Sequence, residues 1–177
     1  MQKEMNMSVL EIIDEEENAD NKYLLLRLCN ENFAFNVNYV KEILAYDSKL
    51  TSIPGSPAYL LGVVNLRGAA IPVIDLRIKF GFENSSVDEN FKIIIIEYIS
   101  DNNKVKIGAL ADKVLDVVYV NPKDFSDPPK LSANWKVEFI NGIFRLNESF
   151  IISLNIDKIL DYDKQLFLEN IFDPNDS

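Results

Sequence analysis

The side chains able to do chemistry in this sequence are carboxylates, one thiol and scattered hydroxyls, and there is no histidine. Without an imidazole there is no Ser-His or Cys-His nucleophile system and no imidazole metal ligand. The spacings Ser-x-x-Lys, Gly-x-Ser-x-Gly, Gly-x-x-x-x-Gly-Lys and Gly-x-Gly-x-x-Gly are all missing, so neither an activated serine nor a phosphate-cradling loop is encoded. Carboxylate catalysis needs two acids held at a fixed separation, and the 28 acidic residues are scattered without marking such a pair. The run Asp14-Glu15-Glu16-Glu17 reads as a solvated charged stretch. Asp101-Asn102-Asn103 lacks the glycine and terminal glutamate of a calcium loop. The expectation is a protein that is not an enzyme and uses no cofactor or metal, so its activity is to be sought in binding.

Composition bounds what it could bind. The chain has 177 residues, 47% hydrophobic and 26% charged, an ordinary globular balance. A domain of this size buries roughly 70% of the surface its unfolded chain exposes, which is core enough without disulfides. Eighteen basic against 28 acidic residues leave a net charge of -10, the wrong sign for neutralising nucleic-acid phosphates. Cys29 is the sole cysteine, and the Met1 to Glu17 stretch shows no basic region followed by an apolar one, so a reducing cytoplasm is expected. The longest aliphatic run, Ile93 to Ile96, falls far short of the ~20 residues that span a bilayer. Membrane association is therefore expected only through a partner.

The elements that must position any binding residues are mostly strands. Period-two patterning interrupted by Gly, Pro, Asn and Asp predicts a small barrel or sandwich. Tyr23 to Leu28 and Phe33 to Val37 flank the polar turn Cys29-Asn30-Glu31-Asn32 as a hairpin, with Phe33, Phe35 and Val37 on one face. Asn36 then reads as the N-cap of a short amphipathic helix through Val37, Val40, Ile43 and Leu44. Beyond the stiff Ile53-Pro54-Gly55-Ser56-Pro57 turn, Gly62 to Leu66 and Ile71 to Leu76 form a strand pair, with Arg67 at the strand end beside Gly68. A polar loop from Glu83 to Asn90 leads to a second half with strands near 91–98, 105–111, 114–120, 137–145 and 150–154, then a helix capped by Asn155. Ile93 to Ile96 is apolar on both faces, which implies a strand covered on both sides.

The stretch Ser52-Ile53-Pro54-Gly55-Ser56-Pro57-Ala58-Tyr59-Leu60-Leu61-Gly62-Val63-Val64-Asn65-Leu66-Arg67-Gly68-Ala69-Ala70-Ile71-Pro72-Val73-Ile74-Asp75-Leu76-Arg77 is similar to the signature of the CheW family of bacterial chemotaxis adaptors. Phe33-Ala34-Phe35, Val40-Lys41-Glu42-Ile43, Gly108, Asp112-Lys113-Val114, Asn141-Gly142-Ile143 and Ile151 to Leu160 resemble further parts of that family. The resemblance covers about residues 21 to 162. It implies a mainly β fold: two packed five-stranded SH3-like β-barrel subdomains with short helices, here 21–88 and 89–162, between acidic tails 1–20 and 163–177. It also implies a non-enzymatic adaptor that couples the cytoplasmic tip of a chemoreceptor (a methyl-accepting chemotaxis protein) to the regulatory domain of the histidine kinase CheA. Such a protein is cytoplasmic and recruited to membrane-bound receptor arrays. The alternative reading is an SH3-like scaffold acting outside chemotaxis.

Receptor-facing positions of that family carry over to Val40, Glu42, Arg67, Gly108 and Val114, whereas its kinase contacts lie on loops and barrel ends and carry over to no named residue. Four of the five have a plainer reading. Arg67 and Glu42 could form a surface ion pair, worth ~0–1 kcal/mol when exposed. Val114 could belong to the core, and Gly108 could mark only a close backbone approach. In the tails, Ser8 with Glu11 has capping-box spacing, and Leu166, Phe167, Ile171 and Phe172 could pack on a barrel or grip a partner.

Overall fold

The computed structural model describes residues 19–47, 49–82, 86–128 and 137–161. The stretch from Ser8 to Glu11 and the apolar residues between Leu166 and Phe172 lie outside the described residues. Among the described residues eleven strands form two sheets. In chain order they are β1 (Lys22–Leu28), β2 (Glu31–Asn36), β3 (Val40–Ala45), β4 (Leu60–Leu66), β5 (Ala69–Asp75) and β6 (Lys92–Ser100). The remainder are β7 (Asn103–Ala111), β8 (Lys113–Tyr119), β9 (Phe125–Ser126), β10 (Ile140–Leu146) and β11 (Ser149–Leu154). The described residues also form two short α-helices, α1 (Leu76–Lys79) and α2 (Ile156–Asp161).

The first sheet has the order β8-β1-β2-β11-β10-β9 and the second β3-β6-β7-β5-β4. A mainly β architecture of two sheets with few short helices is thus what the sequence led one to expect. The sheets do not follow the expected division at residues 88 and 89, because hairpin β1–β2 lies between β8 and β11 and strand β5 pairs in parallel with β7. The two halves of the chain interleave. The reason lies in the β7–β8 crossing: Asp112 donates its N–H to the Arg27 carbonyl at 3.0 Å, so the chain passes directly from the second sheet onto the edge of β1.

The helix expected through Val37, Val40, Ile43 and Leu44 does not form. Only Val37–Tyr39 make a 3-10 turn, and Asn36 caps it as expected, its Oδ1 accepting from the Asn38 N–H at 2.9 Å. From Val40 the chain is strand, paired with β6 from Val40↔Ile96 to Ala45↔Lys92. A bulge between Val40 and Glu42 returns Val40 and Ile43 to one face, so a three-residue spacing that imitates a helix belongs to a kinked strand. The β-branched Val37, Val40 and Ile43 also favour the strand.

The core has three layers. Leu26, Phe35, Ile43, Ile94, Ile96 and Ile107 are among the side chains packed between the sheets. Tyr23, Leu25, Phe144 and Ile151 form a second cluster on the other face of the first sheet. Ile71, Val73, Ile93, Ile95 and Leu110 form a third on the other face of the second sheet. Strand β6 therefore sends Ile94 and Ile96 to one layer and Ile93 and Ile95 to another, the two-sided burial read from its sequence. Gly108 lies in β7 opposite Ile95 and beside Val73. A Cβ there would stand 2.7 Å from Ile93 Cγ2 and 3.1 Å from Val73 Cγ2. Gly108→Val should therefore destabilise the fold by roughly 1–3 kcal/mol through overpacking, read as a lower urea midpoint at unchanged slope. An unchanged midpoint would mean that the β5–β6–β7 layer is not packed as described.

Candidate functional site

The β4–β5 turn is two residues long, and both take positive φ: Arg67 at 50° and Gly68 at 87°. Asn65 closes it by accepting the Gly68 N–H on Oδ1 at 2.9 Å. A turn of this hand favours Asn-Gly or Gly-Gly. Arginine in the left-handed region costs roughly 1–2 kcal/mol, so the turn's own geometry gives no reason for Arg67. What its side chain does instead is reach across to β3. Nη1 and Nη2 donate to Glu42 Oε2 and Oε1 at 3.1 and 3.2 Å, a bidentate pair. Because β3 and β4 are the two edges of the second sheet, this pair closes the sheet's open side. The Arg67 side chain is 74% exposed and that of Glu42 25%, so the pair contributes ~0–1 kcal/mol to stability while presenting a cation to solvent.

The five expected site residues separate by burial. Glu42 and Arg67 meet at the surface. Val114 is partly buried in edge strand β8, opposite Leu26, against the layer between the sheets. Val40 is buried in that same layer, 5% exposed, and Gly108 is enclosed by Ile93 and Val73. The bulge turns Val40 inward, and Gly108 lies where two strands need room.

A second charged group escaped the sequence reading. Arg77, 1% exposed, donates Nε and Nη2 to the Asp75 carboxylate at 3.0 and 2.8 Å. It lies 3.9 Å from Asp112 Oδ1, and its guanidinium stacks 4.7 Å above the Phe91 ring. Asp75 also caps α1 by accepting the Arg77 N–H at 2.9 Å. Burial works against the Arg77 charge, but the bonds and charge of Asp75, then the charge of Asp112, outweigh it and raise its pKa. Burial raises the Asp112 carboxyl, although the Cys29 backbone N–H and Arg77 act to lower it. Burial, then the Asp112 charge, push the Cys29 thiol up, away from a reactive thiolate. The only advance signal was the acid-x-base spacing of Asp75 and Arg77 in the linear motif. Among the described residues no cluster of three or more His, Cys, Asp or Glu could hold a metal ion, and no helix is long and apolar enough to cross a membrane.

Two interleaved β-sheets thus present Arg67 from a positive-φ turn position at the surface, held to the edge strand β3 by Glu42. The chain belongs to the CheW-like domain family, whose model matches residues 22–164. It is 30% identical to a chemotaxis protein CheW of Klebsiella aerogenes over 155 residues, 88% of this chain and 90% of that one. It is 30% identical to a chemotaxis protein CheW of Treponema pallidum over 136 residues, 75% and 78% of the two chains. Its fold is similar to that of the scaffolding protein TtCheW from Thermoanaerobacter tengcongensis, with a TM-score of 0.71 at 26% identity, covering 84% of this chain and 92% of that one.

The raised carboxyl of Asp112 has a consequence for stability. The native state keeps that proton over a range where the unfolded chain, ionising near the ordinary ~3.9, has lost it. This contribution is therefore complete below about pH 3.9 and is lost as pH rises through the folded-state value. Asp112→Asn stays neutral throughout, so its melting temperature should gain on wild type as pH is raised from about 3.5 to 7. Parallel melting curves over that range would show that burial does not control Asp112.

Proposed function

We propose that this protein is a non-enzymatic chemotaxis adaptor that couples the cytoplasmic tip of a chemoreceptor to the regulatory domain of a CheA-type histidine kinase. The observation that carries this reading is the left-handed Arg67: its turn gains nothing from it, and Glu42 holds its guanidinium in one orientation at the sheet edge. Strain that local structure does not explain is a sign of function. Glu42 and Arg67 form the centre of the receptor-facing surface, and the partly exposed Val114 belongs to it. Val40 and Gly108 support that surface from within.

On this reading the protein carries out no reaction. Two weak contacts made at once raise the effective concentration of kinase beside receptor and fix their relative orientation. The protein works in the cytoplasm and reaches the membrane through the receptor. A scaffold of the same fold outside chemotaxis would bind neither partner, so the binding measurement separates the two readings.

Arg67→Asn puts a residue suited to the left-handed turn in place of one that is strained there. It should leave stability within ~1 kcal/mol of wild type, since strain relief offsets the lost ion pair. Calorimetric titration against a receptor-tip fragment should show binding weakened tenfold or more, about 1.4 kcal/mol. Unchanged affinity would remove Arg67 from the interface, and unfolding would reassign it to the framework.

A further inference from the structure

Strand β6 emerges from the core along one face. Ile95 is 1% exposed and Ile99 is 70% exposed, with the half-hidden Glu97 between them. Alternate residues of a strand share a face, here the one that carries Ile93 and Ile95. On β7, Lys106 pairs opposite Glu97 and Lys104 opposite Ile99, and Lys41 is the extra residue of the β3 bulge. The ammonium groups of Lys41, Lys104 and Lys106 come to 3.5, 3.8 and 3.9 Å from the Glu97 carboxylate. The reverse face of the β6–β7 hairpin is occupied, because Tyr98, Val105 and Ile107 are buried in the layer between the sheets. The hairpin is thus anchored by one face and offers the other to solvent.

The charge on the open face runs against that of the chain, whose net charge is -10. Three cations gather on one carboxylate, a local excess of two positive charges, and their side chains are about half exposed or more. Asp101 in the adjoining turn lowers the excess without cancelling it. Glu42, opposite Ile95 and next along the face, is already paired with Arg67. Stability gives little reason for this arrangement, since exposed ion pairs contribute ~0–1 kcal/mol and an isoleucine left in water contributes no burial. The spacing suggests what would complete it. Lys104 and Lys106 are set ~6.8 Å apart along one strand face, close to the ~6 Å rise between residues four apart on an α-helix. We propose that this face binds an acidic amphipathic helix of a partner protein, carboxylates four residues apart meeting Lys104 and Lys106 and an apolar side chain beside them covering Ile99. Nucleic acid or an anionic bilayer is an extended polyanion, and the negative charge of the whole chain opposes its approach. A helix with a few carboxylates meets the local excess alone. The inference does not depend on the adaptor reading, because it specifies the charge pattern of the partner and not its identity.

The test titrates the isotope-labelled full chain with an alanine-based peptide of about 20 residues, long enough to be helical, carrying Glu at every fourth position and Leu beside them. Backbone amide shifts are the readout. The expected result is saturable shifts at Ile99, Lys104 and Lys106, absent with the same peptide carrying Gln for Glu. Combining Lys104→Glu and Lys106→Glu should raise the dissociation constant tenfold or more while the other amide signals keep their positions. In 1 M salt, where the screening length falls to about 3 Å, the shifts should shrink. No shifts at these amides, shifts on another face, or equal shifts with the Gln peptide overturn the proposal. So do the same shifts with inorganic phosphate, which would make the face a small-anion site, or with vesicles of anionic lipid. Shifts that follow the concentration of the chain without peptide also overturn it, in favour of a second copy.

Discussion

The architecture depends on β6 being buried on both faces. Ile94 and Ile96 belong to the layer between the sheets, and Ile93 and Ile95 to the interior of the second sheet. Each such side chain contributes roughly 1.5–3 kcal/mol when withdrawn from water. A one-residue slip would exchange the two sets and force Gly108 and the bulged β3 out of register with their neighbours. Because β6 pairs with β3 on one side and β7 on the other, fixing it fixes the edge strand that carries Glu42. The Arg67 turn then closes on that edge.

Two ion pairs of the same chemistry serve different ends on this frame. Asp75 and Arg77 are 1% exposed. Removing one partner of such a pair leaves an uncompensated buried charge, at a cost of about 3–5 kcal/mol. With Asp112 and the Phe91 ring, this pair sits where β5 and β7 end and the chain crosses to the first sheet. Glu42 and Arg67 contribute an order less to stability. The exposed pair links the two edges of the second sheet at the surface, whereas the buried pair lies where the two sheets join.

The strands were legible because period-two patterning and turn residues are local signals, and they place β1, β2, β4 to β8, β10, β11 and the α2 cap within a few residues of where they lie. Two features were not legible, for physical reasons. The β3 bulge inserts a residue and gives Val40 and Ile43 the spacing of a helix, and only pairing with β6 decides between them. The interleaving of the halves rests on the parallel pairs β2–β11 and β5–β7, which join residues distant in sequence and leave no local trace. Of the site, Glu42 and Arg67 were read both as a pair and as a surface, and the pair is formed. Burial of Val40 and Gly108 required the packed sheets to be seen, as did the meeting of Asp112 with Arg77.

The proposed coupling would place a kinase under receptor control. The most direct measurement is autophosphorylation of a CheA-type kinase on vesicles carrying receptor cytoplasmic fragments, with and without this protein. Kinase activity is expected to respond to the receptors only when the chain is present. Equal responses with and without it would overturn the proposed coupling.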